Sequence, residues 1–233
     1  MPGTNLTTET PSPTVLLTVQ GFLGELQASR DGEWPADRLA AHAAQRRSLE
    51  DAADRDRIVK VGDVVAPFTV PEVDGGQVVL TELLASGPVV LLFFRFEGCP
   101  ACNAALRGYQ LTLAPGLPAL GAHLVAISPQ VPERLAAVKR RHGFEFPVAS
   151  DRDLELITAF GIGFEPDDLT RQQYLRDGVD MGATLGTGRW VLPYPTAIVI
   201  GSDRVVRFAD SHPDWMVRTE AEVLLDAVRS LVR

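Results

Sequence analysis

Cysteine is nearly absent. Of 233 residues only Cys99 and Cys102 carry a thiol, too few for the disulfide scaffold of a small secreted protein. Lysine is as scarce: Lys60 and Lys139 stand alone, so the positive charge is almost all arginine, which reads as a genomic bias. Long apolar runs are missing, and none reaches the roughly 18 residues of a membrane span. Positive charge is in deficit overall. The net charge of −8 argues against nucleic acid as the main partner and favours solubility. The first ten residues lack the basic stretch of a secretory signal, so a cytoplasmic location is expected. A reducing cytosol disfavours a structural disulfide and suits a transient, catalytic one.

What is present is one stretch, Gly98-Cys99-Pro100-Ala101-Cys102-Asn103. The apolar run Pro88-Val-Val-Leu-Leu-Phe-Phe-Arg-Phe96 leads into it and reads as a strand buried on both faces. Ala104-Ala-Leu-Arg-Gly-Tyr-Gln110 follows and reads as a helix, with Pro100 at the first helical position, where a missing N–H costs nothing. A helix N-terminus gathers free N–H groups and favours an anion. It lowers a cysteine pKa, and the thiolate is the nucleophile. Cys99 falls at the N-cap and Cys102 one turn on, within reach for a disulfide. The alternatives are half a zinc site or two buried structural thiols. Zinc needs about four ligands, and His42, His123, His142 and His212 show no paired spacing near the loop.

In chain order, residues 1–13 are polar, contain three prolines and are expected to be disordered. Residues 14–58 read as a helical extension, with helices over about 15–26 and 35–54. Its function is not legible. The main domain starts near Val59. Thr81 is a plausible cap for a short helix, and the CxxC helix should weaken at Gly108. Residues 123–127 form the next buried strand, and a helix from Pro132 ends at Gly143. Residues 166–176 read as a helix, and the glycine-rich 178–188 as a mobile surface loop. Thr196-Ala-Ile-Val-Ile200 and Val205-Val-Arg-Phe208 flank a turn as a β-hairpin. Thr219-Glu-Ala-Glu222 reads as a capping box opening a last helix. The alternation of strand and helix predicts a parallel βαβ core.

These pieces, in this order, resemble the alkyl hydroperoxide reductase / thiol-specific antioxidant family. The chain is most similar to a peroxiredoxin-like branch with a thioredoxin-type CxxC. The resemblance rests on Val61-Gly62-Asp63, Ala66-Pro67-Phe68, the segment from Phe93 to Gln110, Leu124-Val-Ala-Ile-Ser-Pro-Gln130, Phe146-Pro147-Val148 and Leu192-Pro193-Tyr194-Pro195-Thr196. It implies an α/β thioredoxin-like fold over residues 59–233, a central mixed sheet flanked by helices, behind the N-terminal helical extension. It also implies a cis proline at Pro195, facing the CxxC. The usual peroxide-binding set is missing. Aligned on Phe93-Phe94, the family's peroxidatic cysteine falls on Cys102, its proline on Arg95, its threonine on Cys99, and its arginine close to Pro195. Aligned with thioredoxin, Cys99 is the exposed nucleophile and Cys102 resolves; the helix position favours Cys99.

Around the two catalytic candidates, Arg95 can stabilise a thiolate or bind an acidic substrate, and Glu97 can accept a proton. A surface ion pair between them is the plain alternative. Tyr194, with Trp190, can wall the site as readily as it can fill core. Pro100, Tyr194 and Pro195 complete the supporting set. The resemblance implies a thiol oxidoreductase that needs no cofactor or metal. It would act on a peroxide or a disulfide, be restored by a thioredoxin-like or low-molecular-weight thiol reductant, and allow a homodimer, with neither nucleic acid nor membrane as partner. A non-catalytic redox-sensing module and a specialised small-metabolite enzyme on the same fold are the competing readings.

Overall fold

The computed structural model describes residues 17–232. The expected disordered tail, 1–13, lies outside them, as does the start of the first expected helix. That helix is α1 (Val19–Glu33), capped by Thr18, and α2 (Ala36–Ala52) follows across Pro35. Then come β1 (Thr69–Pro71), β2 (Gln77–Val79), α3 (Leu80–Ser86), β3 (Val89–Phe93), α4 (Pro100–Thr112) and β4 (His123–Ser128). The chain continues through α5 (Pro132–His142), β5 (Val148–Ser150), α6 (Glu155–Ala159), β6 (Gly163–Phe164), α7 (Asp168–Arg176) and α8 (Met181–Leu185). It closes with β7 (Leu192–Pro193), β8 (Thr196–Ile200), β9 (Val206–Ser211) and α9 (Ala221–Arg229).

The central sheet runs β5-β4-β3-β8-β9. β3, β4 and β5 are parallel, whereas β8 is antiparallel to both β3 and β9. This is the expected mixed sheet of a thioredoxin-like fold. β3 is buried along its whole length, because its two faces feed two cores. Val90 and Leu92 point toward α4, α1 and α9, while Val89, Leu91 and Phe93 point toward β1, β2, α3 and α6.

Four local expectations are corrected. Thr81 is not a cap, for α3 starts a residue earlier from Val79 with no side-chain cap bond. The last helix starts from Glu220 and also lacks one. The Glu220 carboxylate instead accepts from the N–H groups of Val19 and Gln20 at 2.9 and 2.8 Å, and Thr219 Oγ1 donates to Asp210. Helix α4 does not weaken at Gly108. A β-carbon there would meet Val19 Cα at 3.2 Å and Phe22 at 3.1 Å, so the glycine lets α1 lie against α4. Residues 178–188 are not a surface loop. Asp180 caps α8, whose Met181 and Leu185 are fully buried. Gly143 does end α5, in the left-handed conformation.

Candidate active site

β3 delivers the chain to the site, and the loop after it is held from several sides. Ser128 Oγ donates to the Arg95 carbonyl at 3.0 Å. Gln130, fully buried, accepts the Glu97 N–H at 2.8 Å and donates to the Thr184 carbonyl of α8 at 2.8 Å. Asn103 donates back to the Glu97 carbonyl. Cys99 is the N-cap of α4 with Pro100 at the first helical position, as the sequence predicts. Its Sγ accepts from the Cys102 N–H and from Arg95 Nη2, each at 3.2 Å.

Arg218 supplies a second cation. Its Nη1 donates to the Trp215 and Val217 carbonyls at 2.7 Å, which aims Nη2 at Cys102 Sγ, 3.9 Å away. Burial raises the cost of charge on either sulfur. The Cys102 thiol is nevertheless held well below the usual range by the hydrogen bond from the Cys99 thiol, by the Arg95 and Arg218 guanidiniums and by a backbone hydrogen bond from Arg95. Cys99 is pushed up, by burial first and then by the bond it gives Cys102, against the pull of Arg95. Two directed donors also reach Cys99 Sγ, so one proton is shared across the pair. We place the charge on Cys102, the sulfur that feels both the Arg95 and the Arg218 guanidiniums. Burial alone would lower Arg95; the two sulfurs outweigh it and its pKa is raised.

Cys99 is not the exposed thiol that its position at the helix mouth suggests. Both sulfurs are at 0% exposure. The cover comes from the N-terminal extension and from Trp215. Arg30 of α1 lies 4.8 Å from the Trp34 ring and 5.5 Å from that of Trp215, and Arg95 lies 4.8 Å from the Trp215 ring. His42 of α2 meets both indoles edge-on, at 4.7 and 5.5 Å. Cys102 borders a cavity of about 20 Å³, room for a water-sized molecule. Its walls include Tyr109, Pro195, Thr196, His212 and Arg218.

Pro195 thus does face the CxxC, but it is not cis: there is no cis peptide bond among the described residues. The chain passes straight from β7 into β8, and the Pro195 carbonyl accepts the His212 N–H at 2.9 Å, extending the β8–β9 pairing. Tyr194 stacks on Phe164 with 5.0 Å between ring centres, and Trp190 packs near Tyr174 and under Arg171. Neither aromatic touches a sulfur in the contacts described. Glu97, half-buried, pairs with Arg141 at 3.4 Å and not with Arg95. Arg107 is exposed and lies over Phe22. Sequence reasoning missed Arg218, Trp215, Arg30 and His42. They lie far from the motif in the chain, and an arginine-rich composition hides which arginines matter.

The site is thus a buried, arginine-held dithiol at the mouth of a helix on a thioredoxin-like sheet. The AhpC/TSA family pattern matches residues 61–209, and the chain belongs to that family. A Mycobacterium tuberculosis protein named as a peroxiredoxin is 34% identical over 100 residues, 43% of this chain and 62% of its own length. Peroxiredoxin Bcp of Escherichia coli is 30% identical over 105 residues, 45% of this chain and 65% of its length. The chain therefore spans under two thirds of these relatives. Among solved structures, peroxidoxin BcpB of M. tuberculosis superposes with a TM-score of 0.56 at 25% identity, covering 74% of this chain and 98% of that one. Peroxiredoxin Q of Xanthomonas campestris superposes with a TM-score of 0.54 at 18% identity, covering 71% and 92%, a likeness of fold. Among the described residues no helix is long and apolar enough to cross a membrane.

Proposed function

We propose that the protein is a thiol-dependent peroxidase that cycles Cys99 and Cys102 between dithiol and internal disulfide, with Cys102 as the attacking sulfur. One observation carries this reading: Cys102, the more acidic thiol of the pair, borders a small cavity. The Cys102 thiolate attacks the nearer peroxide oxygen and the O–O bond breaks. The departing oxygen leaves as hydroxide or alkoxide and takes a proton, leaving Cys102 as a sulfenic acid. Cys99, one turn away, attacks the sulfenic sulfur, expels water and closes the disulfide. Cys99 stands where the family carries a threonine. Its S–H makes the hydrogen bond to the thiolate that a hydroxyl would make, and it resolves the adduct as well. Arg218 and Arg95 take the place of the family's arginine, from other points in the chain. An external thiol then reduces the disulfide.

In this reading residues 17–58 are a cover, the domain from residue 59 onward carries the chemistry, and the cycle runs in a reducing, cytoplasmic compartment. Thiol–disulfide exchange on a bulky substrate fits less well, because neither sulfur is open to one. The test is peroxide consumption with intact-mass readout on wild type, Cys99→Ser and Cys102→Ser. The wild type should turn over and, after mild peroxide, lose two hydrogens without dimerising. Cys102→Ser should be inactive. Cys99→Ser should stop after one turnover with a trappable sulfenic acid. Turnover surviving in Cys102→Ser but not in Cys99→Ser moves the nucleophile to Cys99. No consumption by the wild type sinks the peroxidase reading and favours a sensor or a specialised enzyme.

A further inference from the structure

The cover over Cys99 is built from an unusual combination. Arg30, Arg38, Arg46 and Arg95 all lie within 6 Å of the Trp34 or Trp215 ring, at 4.0 to 5.7 Å. One carboxylate answers them: Asp214, 3.4 Å from Arg46. This density of cations sits in a chain whose net charge is −8. Arg30 and Arg95 are each 6% exposed. Two of them adjoin the dithiol: Arg95 Nη2 donates to Cys99 Sγ, and Arg30 feels the charge of Cys99, so disulfide formation removes the negative charge that the sulfur pair carries. In the oxidised protein the cluster keeps its positive charge and loses its counter-charge.

A second feature points to a ligand. Next to the cluster, between α2 and the segment leading into α7, is a narrow cleft lined by Gln45, Ser48, Phe164, Thr170, Tyr174 and the Arg95 guanidinium. Arg95 Nε has no hydrogen-bond partner, although the side chain is almost wholly buried. One edge of this guanidinium holds Cys99 Sγ, its Nε is without a partner, and Arg95 is among the residues that line the cleft. Asp167, the carboxylate at the cleft rim, already accepts the Thr170 N–H as the cap of α7.

A third feature is the way α2 is attached. Helix α1 is anchored by fully buried Val19 and Leu23, but α2 has no buried residue. It is held by half-buried Leu49 against the core, by the edge-on His42 contacts, by the Arg46–Asp214 pair and by a 3.5 Å contact from Gln45 to the Tyr174 hydroxyl. Such contacts are individually weak. The hinge is Trp34-Pro35, where the backbone is extended between the two helices.

We infer that the arginine–indole cluster under α2 is the docking site for a small anionic thiol, one bearing a carboxylate, which reduces the Cys99–Cys102 disulfide after α2 swings aside. This rests on the redox cycle proposed above. The carboxylate takes the vacancy left by the lost thiolate charge, on Arg95 Nε and its neighbours. The thiolate of the first reductant attacks Cys99 Sγ. The S–S bond breaks and its electron pair leaves on Cys102, the better leaving group because its thiolate is the more stabilised. A second thiolate attacks the reductant sulfur of the mixed disulfide and releases Cys99, which takes a proton from solvent. Two thiols are oxidised to one disulfide, and the protein is restored to dithiol.

The test starts from protein oxidised with diamide, so that no peroxidase step is involved. Its reduction is followed by mass with 3-mercaptopropionate, 2-mercaptoethanol and cysteamine, as rate per thiolate. The anionic thiol should outpace the cationic one by roughly tenfold or more at low salt. The gap should close near about 0.5 M salt, where screening is short-ranged. Arg46→Gln and Arg38→Gln should each shrink it. Equal rates for the three thiols, or cysteamine fastest, overturn the proposal. If diamide forms no disulfide at all, the redox cycle itself fails, and that result is read before any reductant is added.

Discussion

Arg218 shows how much a single side chain can decide here. Two 2.7 Å bonds to the Trp215 and Val217 carbonyls fix its guanidinium, and the remaining nitrogen faces Cys102. Replacing it with methionine keeps much of the volume and removes the charge. In Arg218→Met the apparent pKa of the sulfur pair should rise, and the alkylation rate at neutral pH should fall about tenfold, the worth of a charge-assisted contact of about 1.5 kcal/mol. A pH profile of iodoacetamide alkylation checks this; an unmoved pKa would leave Arg218 a scaffold residue only. The sequence could name both cysteines because strand, CxxC and Pro100 are contiguous. It could not name Arg218, whose partner is 116 positions away.

At the scale of elements, the fit of α1 against α4 is the contact on which the cover depends. Gly108 makes it, with Val19 Cα and Phe22 where a side chain would go. Gly108→Val adds a branched side chain at that point and should cost about 2 kcal/mol or more. It should also lift the extension enough to speed thiol alkylation. Urea unfolding and alkylation kinetics on the same variant read both effects, and a variant as stable and as slow as wild type would refute this account of the interface. The same glycine reads in sequence as a weak point of a helix, because propensity describes the helix alone and not its neighbour. Residues 178–188 mislead in the same way. Their glycines suggest a loop, but Met181 and Leu185 find a local apolar cluster, and α8 supports the CxxC loop through Gln130. By contrast β3, β4 and the β8–β9 hairpin are legible, since unbroken β-branched runs have few alternatives to a buried sheet.

For the whole molecule, two titratable groups, half-buried His42 and buried Asp151, oppose each other as pH changes. Burial, with the Arg30 charge next, lowers His42 to about 4. Its folded pKa lies below the unfolded value of about 6.5, so the stability it contributes is full above that value and is lost as pH falls toward 4. Burial raises Asp151 to about 6, despite the Leu156 and Ile157 N–H groups it accepts. Its contribution is full below about 4 and is lost as pH rises through 6. The stability of wild type relative to His42→Phe should therefore fall steadily from about pH 6.5 to pH 4. Denaturant midpoints at several pH values measure that difference, and a flat or rising trend would contradict it. No local pattern in the sequence announces this balance, because both burials arise from long-range packing.

The cavity beside Cys102 has one more consequence. Once a peroxide oxygen is bonded to that sulfur, the space that admitted it is filled by the oxygen itself. A second oxidant molecule has no room to approach until the sulfenic group has condensed with Cys99. In the proposed peroxidase cycle, confinement at this one atom steers each oxidation to the reversible rung of sulfur chemistry and away from the sulfinic and sulfonic acids beyond it.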